Sequence, residues 1–312
     1  MSFKIENIPD SVFFLVAKIS ASVFLVQTLI GWIGNGLIVI VTVRSKKLRT
    51  PCSILIAIQA SSDIIIEVSH LFFVYFAFNE KLVTFYTCWK VNFLFVFALD
   101  FSHWLIFFIA LDRLLASKLP QFYKFINRTY YIGGIVTFCL AFCTAFKFIT
   151  YRSLTNDLTL CTIGQAVTGI TERIWIGCVT TINCGVVVVY YALRKLLKNV
   201  SIPDYRQINR SLITIIAVDL CGWLLACFGC GVATKMRLLK EFSTRVFTTF
   251  EMPLGILANM NLAAPFFIYY TRSTLYREEF KKLLGFRKGN LITMAVTRYN
   301  DTYFEVLSYL NV

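Results

Sequence analysis

The chain has 312 residues, 57% of them hydrophobic and 15% charged, with a formal net charge of +14. Soluble domains are about 45–50% apolar and about 25% charged, so this chain has too little polar surface for a water-soluble globule. Its basic residues lie in short stretches between long apolar ones, which excludes a soluble enzyme, a nucleic-acid binder and a secreted disulfide scaffold, and predicts an all-α membrane protein.

A helix that crosses a bilayer needs roughly 20 mostly apolar residues. Seven windows qualify, in chain order 19–43, 51–78, 91–111, 129–146, 174–193, 211–234 and 246–271. Hydrocarbon offers no water to free backbone groups, so each is expected to be helical. The stretch before Ile19 lacks a basic n-region and a small-residue cleavage site, and the first span is expected to act as its own insertion signal. Connections are short, which leaves one seven-helix bundle domain over 1–285. The loops after spans one, three and five and the tail hold 20 of the 31 Lys and Arg residues, and the other side holds 11. By the positive-inside rule the N-terminus is expected outside and the C-terminus in the cytosol. The sequons at Asn127, Asn199, Asn209 and Asn300 fall on the cytosolic side and are expected to stay unmodified.

After the last span, residues 273–285 begin with a capping-type Ser273 and end at Gly285. Tyr276, Phe280, Leu283 and Leu284 recur there at three and four spacing, between Arg277, Lys281 and Lys282. This pattern predicts a short amphipathic eighth helix lying on lipid at the inner interface, followed by a cytoplasmic tail over 286–312.

Polar residues inside the spans are costly and mark function or structure. Asp63, Glu67 and His70 share one helix face, readable as a wet inner lining or as a ligand or proton site. His103 and Asp219 lie at matching depths of about 13–15 Å from the cytosolic ends of spans three and six. They are expected either to pair across the two spans or to bond separately to backbone and water.

Several motifs then occur in order: Gly34-Asn35, Asp63 within Ala60-Ser-Ser-Asp63, Asp112-Arg113-Leu114 with Cys88 25 residues before Arg113, Gly222-Trp223, and 261–273 reading Asn-Leu-Ala-Ala-Pro-Phe-Phe-Ile-Tyr-Tyr-Thr-Arg-Ser. With Leu48-Arg-Thr-Pro-Cys52 and Pro120, they resemble rhodopsin-like G-protein-coupled receptors, and most nearly the nematode serpentine chemoreceptor class SX, over about residues 19–285. The sequence departs from that superfamily at Leu225, where many relatives have Pro, and at Tyr269, four residues past Pro265. Phe95 replaces the Asp of amine receptors and span seven lacks the Lys of opsins, so neither of those ligand classes is expected.

The resemblance implies a disulfide between Cys88 and Cys161 on the outside. It implies that Asp112 restrains Arg113 until a heterotrimeric G protein engages it, although an interfacial Arg obeying the charge rule stands as the simpler reading. Trp223 and Tyr269 take the positions of switch residues. Asn35, Asp63, Ser102 and Asn261 match a cluster that binds a sodium ion, or that holds only water. A ligand pocket is expected between spans three, five, six and seven, with Asn92, Phe95, Trp223, Phe228 and Glu251 as candidates. The expected function is a chemosensory receptor for an extracellular small molecule. The alternatives are a peptide receptor and, from another class, a ligand-gated channel or transporter; paired broken helices in repeated halves, which would favour a transporter, are not seen. Only His70 and His103 are present, and no hydrolase or metalloprotease motif occurs, so catalysis is not expected.

Overall fold

A computed structural model describes residues 8–197 and 244–285, with 214, 217, 218, 222, 223, 225, 226, 228–233 and 235 between them. The chain runs through α1 (Asp10–Arg44), α2 (Pro51–Phe78), strand β1 (Val83–Thr84), α3 (Phe85–Lys118), the short α4 (Pro120–Phe125) and α5 (Arg128–Arg152). It continues through strand β2 (Leu158–Thr159), α6 (Gly169–Leu197), α7 (Thr244–Arg272) and α8 (Thr274–Leu283). Among the described residues six helices are long and apolar enough to cross a membrane. About half of the predicted sixth span is among the described residues, and those positions are helical. The tail and three of the sequons also fall outside them.

Local chemistry sets the helix ends. The side chains of Thr50 and Thr84 accept from the backbone N–H of Ser53 and Thr87 and cap α2 and α3. Asn127 accepts from the N–H of Thr129 and Tyr130 at the start of α5, a structural use for one of the sequons. Ser273 caps α8 by accepting from the N–H of Tyr276, and Gly285 follows the helix with φ +74°.

Several helices extend beyond their predicted windows, and in α1 and α5 the extension takes in a lysine. The first was expected to begin at Ile19, yet α1 starts at Asp10 because Phe13, Phe14 and Ala17 are buried against Phe73 and Phe76 of α2. Lys18 interrupts the apolar run in sequence, and Glu80 neutralises it at 2.7 Å. Likewise α5 continues past Phe146 to Arg152 and carries Lys147 into the bundle.

The faces of α1 show how sequence becomes packing. Phe14, Ala17, Ala21, Phe24, Thr28, Gly31, Asn35, Ile38 and Thr42 are buried at alternating spacings of three and four. Leu15, Ile19, Val26, Ile30, Ile33 and Ile40 form an exposed apolar stripe on the other side. A water-soluble protein does not expose such a stripe; lipid is the solvent that suits it. The inner face packs along α2 and α7, while α3 packs against α2, α5 and α6.

At one end of the bundle the loop between α5 and α6 is tied down from three sides. Strands β1 and β2 pair antiparallel, a two-residue ladder too short to read from sequence. Cys161 forms a disulfide with Cys88 of α3. Gln165 donates from Nε2 to the Glu251 carboxylate of α7, and its own Oε1 accepts from Thr159 at 3.1 Å. The disulfide joins residues 73 apart in sequence, so its loss should remove about 4 kcal/mol of loop-closure restraint. Cys88→Ser and Cys161→Ser should each lower the thermal midpoint of the purified protein, and the double variant should be no worse than either single one.

Candidate functional site

Beneath that strapped loop lies a cavity of about 100 Å³. Thr162, Ile163 and Gly164 of the loop form its roof. Its walls come from α1 at Phe24, α2 from Ile66 to Phe73, α3 at Leu99, α6 at Trp175, the sixth-span residues Trp223, Ala226 and Cys230, and α7 from Glu251 to Leu262. Of the residues expected to line a pocket, Trp223 and Glu251 do so. Asn92 does not: its amide donates to Cys161 Sγ at 3.0 Å and to the Cys88 carbonyl at 3.2 Å, so it steadies the disulfide. Phe95 is buried against Phe72, with ring centroids 5.6 Å apart. Phe228 is 74% exposed and faces away. Trp223, Ala226 and Cys230 follow helical three and four spacing, and two residues of helix rotation from Ala226 carry Phe228 to the opposite side. The cavity also reaches α1 and α2, outside the expected quartet of helices.

On α2, Asp63, Glu67 and His70 are all buried. His70 Nδ1 meets Thr28 Oγ1 at 2.9 Å, its ring stacks on Phe24, and it lines the cavity. Glu67 lies against Gly31, where a Cβ would overlap its carboxylate, and neither of its oxygens finds a hydrogen-bond partner among the described residues. Ser102 donates to Asp63 Oδ1 at 2.9 Å, bringing two members of the expected cation cluster together. Asn35 instead donates from Nδ2 to the Leu262 carbonyl at 2.9 Å and ties α1 to α7. Asn261 lies against Gly222, where a Cβ would come within 2.8 Å of the Leu257 carbonyl. The glycines of the Gly34-Asn35 and Gly222-Trp223 pairs share one physical role, since a Cβ at Gly34 would also approach Phe266 Cβ to 2.7 Å. Each lets a helix come close to α7.

Asp219, the expected partner of His103, lies outside the described residues. His103 Nδ1 bonds the Leu99 carbonyl at 2.7 Å, and its ring meets Trp223 edge-on at 4.4 Å. One turn of α3 away is a charge pair that sequence reasoning missed. Asp100 Oδ2 lies 3.2 Å from Lys147 Nζ of α5, both groups being at most 5% exposed. Trp175 of α6 donates from Nε1 to Asp100 Oδ1 at 2.7 Å, so one carboxylate joins three helices. Asp100 was legible as an ionisable residue inside a span. Lys147 was not, because it falls one residue past the predicted window.

At the opposite end Arg113 makes a two-point contact with Asp112, through Nη2 at 2.8 Å and Nε at 3.2 Å. The other carboxylate oxygen accepts from Tyr123 of α4 at 2.8 Å. Burial, and next the neighbouring Asp112, hold the Tyr123 phenol above its ordinary pKa, so it remains a donor at neutral pH. Both Asp112 and Arg113 are buried. They adjoin a cleft of about 410 Å³ lined by Cys52, Arg113, Tyr123, Tyr269 and Tyr276. Tyr269 stacks on Tyr276 of α8 with centroids 4.6 Å apart. Tyr123 was missed because α4 is a six-residue helix with no periodic signal.

Comparison with protein families matches residues 28–284 to the serpentine type 7TM GPCR chemoreceptor Srsx family. No curated protein matches the chain.

Breaking a buried ion pair by removing one partner costs about 3–5 kcal/mol, whereas neutralising both partners costs much less. Lys147→Gln and Asp100→Asn should therefore each depress thermal stability strongly, and the double variant should recover most of the loss. Additive losses in a double-mutant cycle would show that the pair contributes no coupling.

Proposed function

The chain belongs to the Srsx family of serpentine seven-transmembrane chemoreceptors, and we propose that it detects an extracellular small molecule and activates a heterotrimeric G protein. The family is one of receptors and not of enzymes, and the chain is a multi-pass integral membrane protein of the plasma membrane. The observation that carries the proposal is the pair of clefts at opposite ends of one bundle. One is roofed by a disulfide-anchored loop, and the other is walled by a restrained arginine.

In this reading the chain has seven spans with the N-terminus outside. The disulfide end faces the oxidising exterior, where such bonds persist. The arginine end faces the cytosol, in keeping with the charge asymmetry. The amphipathic α8, with Tyr276 and Phe280 buried and Lys281 and Lys282 exposed, lies along the inner lipid surface. A ligand in the outer cavity would bear on Trp175 and Trp223, which line it. Trp223 touches His103 of α3, so its displacement would move the sixth span against the third. Freed from Asp112, Arg113 would present its guanidinium to the G protein in the inner cleft. A small cavity closed over by a loop favours a small molecule over a peptide.

The proposal extends to a cation site. Asp63, Ser102, Asn35 and Asn261 offer a carboxylate, a hydroxyl and two amide carbonyls, a set of hard oxygen donors suited to sodium. Asn35 has turned its amide nitrogen to Leu262, which leaves its oxygen as the available donor.

Expressed in a heterologous cell, the parent should give calcium or cAMP responses to a small-molecule pool, and Arg113→Ala should abolish them at unchanged surface expression. A ligand-gated current that survives without G protein would overturn the reading. Tyr123→Phe removes one charge-assisted bond from Asp112, worth about 1.5–3 kcal/mol, and should raise basal signalling about tenfold or more. Sodium should stabilise the purified parent against heat, and Asp63→Asn should eliminate that dependence. A parent indifferent to sodium would leave a water network in its place.

A further inference from the structure

We infer that the outer cavity takes a small neutral molecule of no more than about six heavy atoms, with one oxygen function held by Ser69 and His70 of α2. This deepens the receptor reading and rests on it for its biological meaning, though not for its chemistry.

Size comes first. A cavity of about 100 Å³ is smaller than the roughly 150 Å³ void that accommodates benzene in a protein core. Its wall is dominated by Leu99, Trp175, Trp223, Phe24 and Phe73, which favours a carbon skeleton. Charge comes next. No Lys or Arg lines the cavity among the described residues, and the carboxylate that does, Glu251, is already engaged by Gln165. Trp175 spends its N–H on Asp100. An anion would therefore meet no counter-charge among the described residues, and a cation only the Glu251 carboxylate that Gln165 already holds, so either enters a mostly apolar space at a large desolvation cost.

Two polar atoms on the α2 wall are left over. Ser69 Oγ and His70 Nε2 are buried and have no hydrogen-bond partner among the described residues. Both residues line the cavity and are at most 4% exposed. Serine hydroxyls elsewhere in these helices turn back to the carbonyl four residues earlier, as Ser61, Ser62 and Ser117 do, and Ser69 does not. His70 is fixed by Thr28, by stacking on Phe24 and by the Asn259 side chain of α7, which interacts with its ring. Buried polar groups are almost always satisfied. A ligand alcohol or carbonyl oxygen supplies what both atoms lack: an acceptor for the serine hydroxyl and, through the imidazole tautomer, a donor or acceptor for Nε2.

The test is direct binding to the purified full chain in nanodiscs, read by thermal shift and calorimetry. The probes are butanol, pentanol, pentan-2-one, decan-1-ol, pentane, pentylammonium and pentanoate. The five- and six-atom alcohols and ketone should bind, decan-1-ol and the two ions should not, and pentane should bind more weakly than pentanol. Ser69→Ala should weaken the oxygenated probes about tenfold and leave pentane unchanged, and His70→Asn should act in the same direction. Ala226→Phe, which fills the space, should abolish all binding while the disulfide-dependent thermal midpoint stays intact. Preferred binding of an ion or of decan-1-ol, or equal losses of pentanol and pentane in Ser69→Ala, would overturn the inference. Binding as expected without any second-messenger response would sink the G-protein reading and leave the cavity assignment standing. A response to a ligand class that the cavity does not bind would do the reverse.

Discussion

A backbone amide in hydrocarbon has no water to turn to, and this constraint shapes every level of the molecule. It forces long uninterrupted helices and pushes irregular chain to the two ends. It also leaves each intramembrane polar side chain with only other protein groups as partners. In α1 the result is a strict division, with an inner face at three and four spacing that holds Asn35 and Thr28, and an outer face of Ile, Leu and Val. Polar atoms inside the bundle are therefore few, and their positions are informative. They run from Ser69 and His70 at the cavity wall, through Asp63 and Ser102, to Asp112 and Arg113 at the far end.

The contacts along this path differ in kind. Asp100, Lys147 and Trp175 bind three helices through one carboxylate, with both charges almost fully out of solvent. Such a junction resists separation, because parting it strands a buried charge. It fixes α3, α5 and α6 as a frame. Trp223 of the sixth span meets that frame through ring contacts, with His103 and with Trp175, whose centroid lies 6.5 Å from its own. Aromatic edges slide at far less cost than ion pairs separate.

Much of this architecture was legible in the sequence, because the hydropathy windows report the same lipid constraint that builds the helices. Ser273 and Gly285 bounded α8 from cap chemistry alone, and the Cys88–Cys161 bridge followed from family resemblance. What escaped has physical causes. Lys18 and Lys147 cut the apolar windows short, because a window counts a charge and cannot see the Glu80 or Asp100 that neutralises it. Phe228 was misassigned because composition locates a helix without fixing its rotation. Tyr123 and the two-residue strands sit in segments too short to carry a period. The polar face of span two was already readable as a ligand site, and His70 does line the cavity, whereas the participation of α1 through Phe24 was hidden because an apolar residue in an apolar span carries no signal.

The size of the cavity constrains how firmly the resting state can be held. A ligand of about six heavy atoms has at most roughly 9 kcal/mol of total binding, at a ceiling of about 1.5 kcal/mol per atom. Only the difference in its affinity for two states shifts their populations. Moving a bundle from 1:99 to 99:1 takes about 5.5 kcal/mol of that difference. On the receptor reading, the element that the ligand opens must be worth only a few kcal/mol. The contacts of Asp112 with Arg113 and Tyr123 are on that scale, as charge-assisted hydrogen bonds at the margin of the bundle. The Asp100–Lys147–Trp175 junction joins three helices, whereas Asp112 and Arg113 are neighbours on α3 and Tyr123 lies on the adjoining α4, so the arginine can be released without breaking that junction. A small ligand can therefore release the arginine end while the three-helix frame stays closed, and the two ion pairs of α3 divide between a fixed part and a moving one.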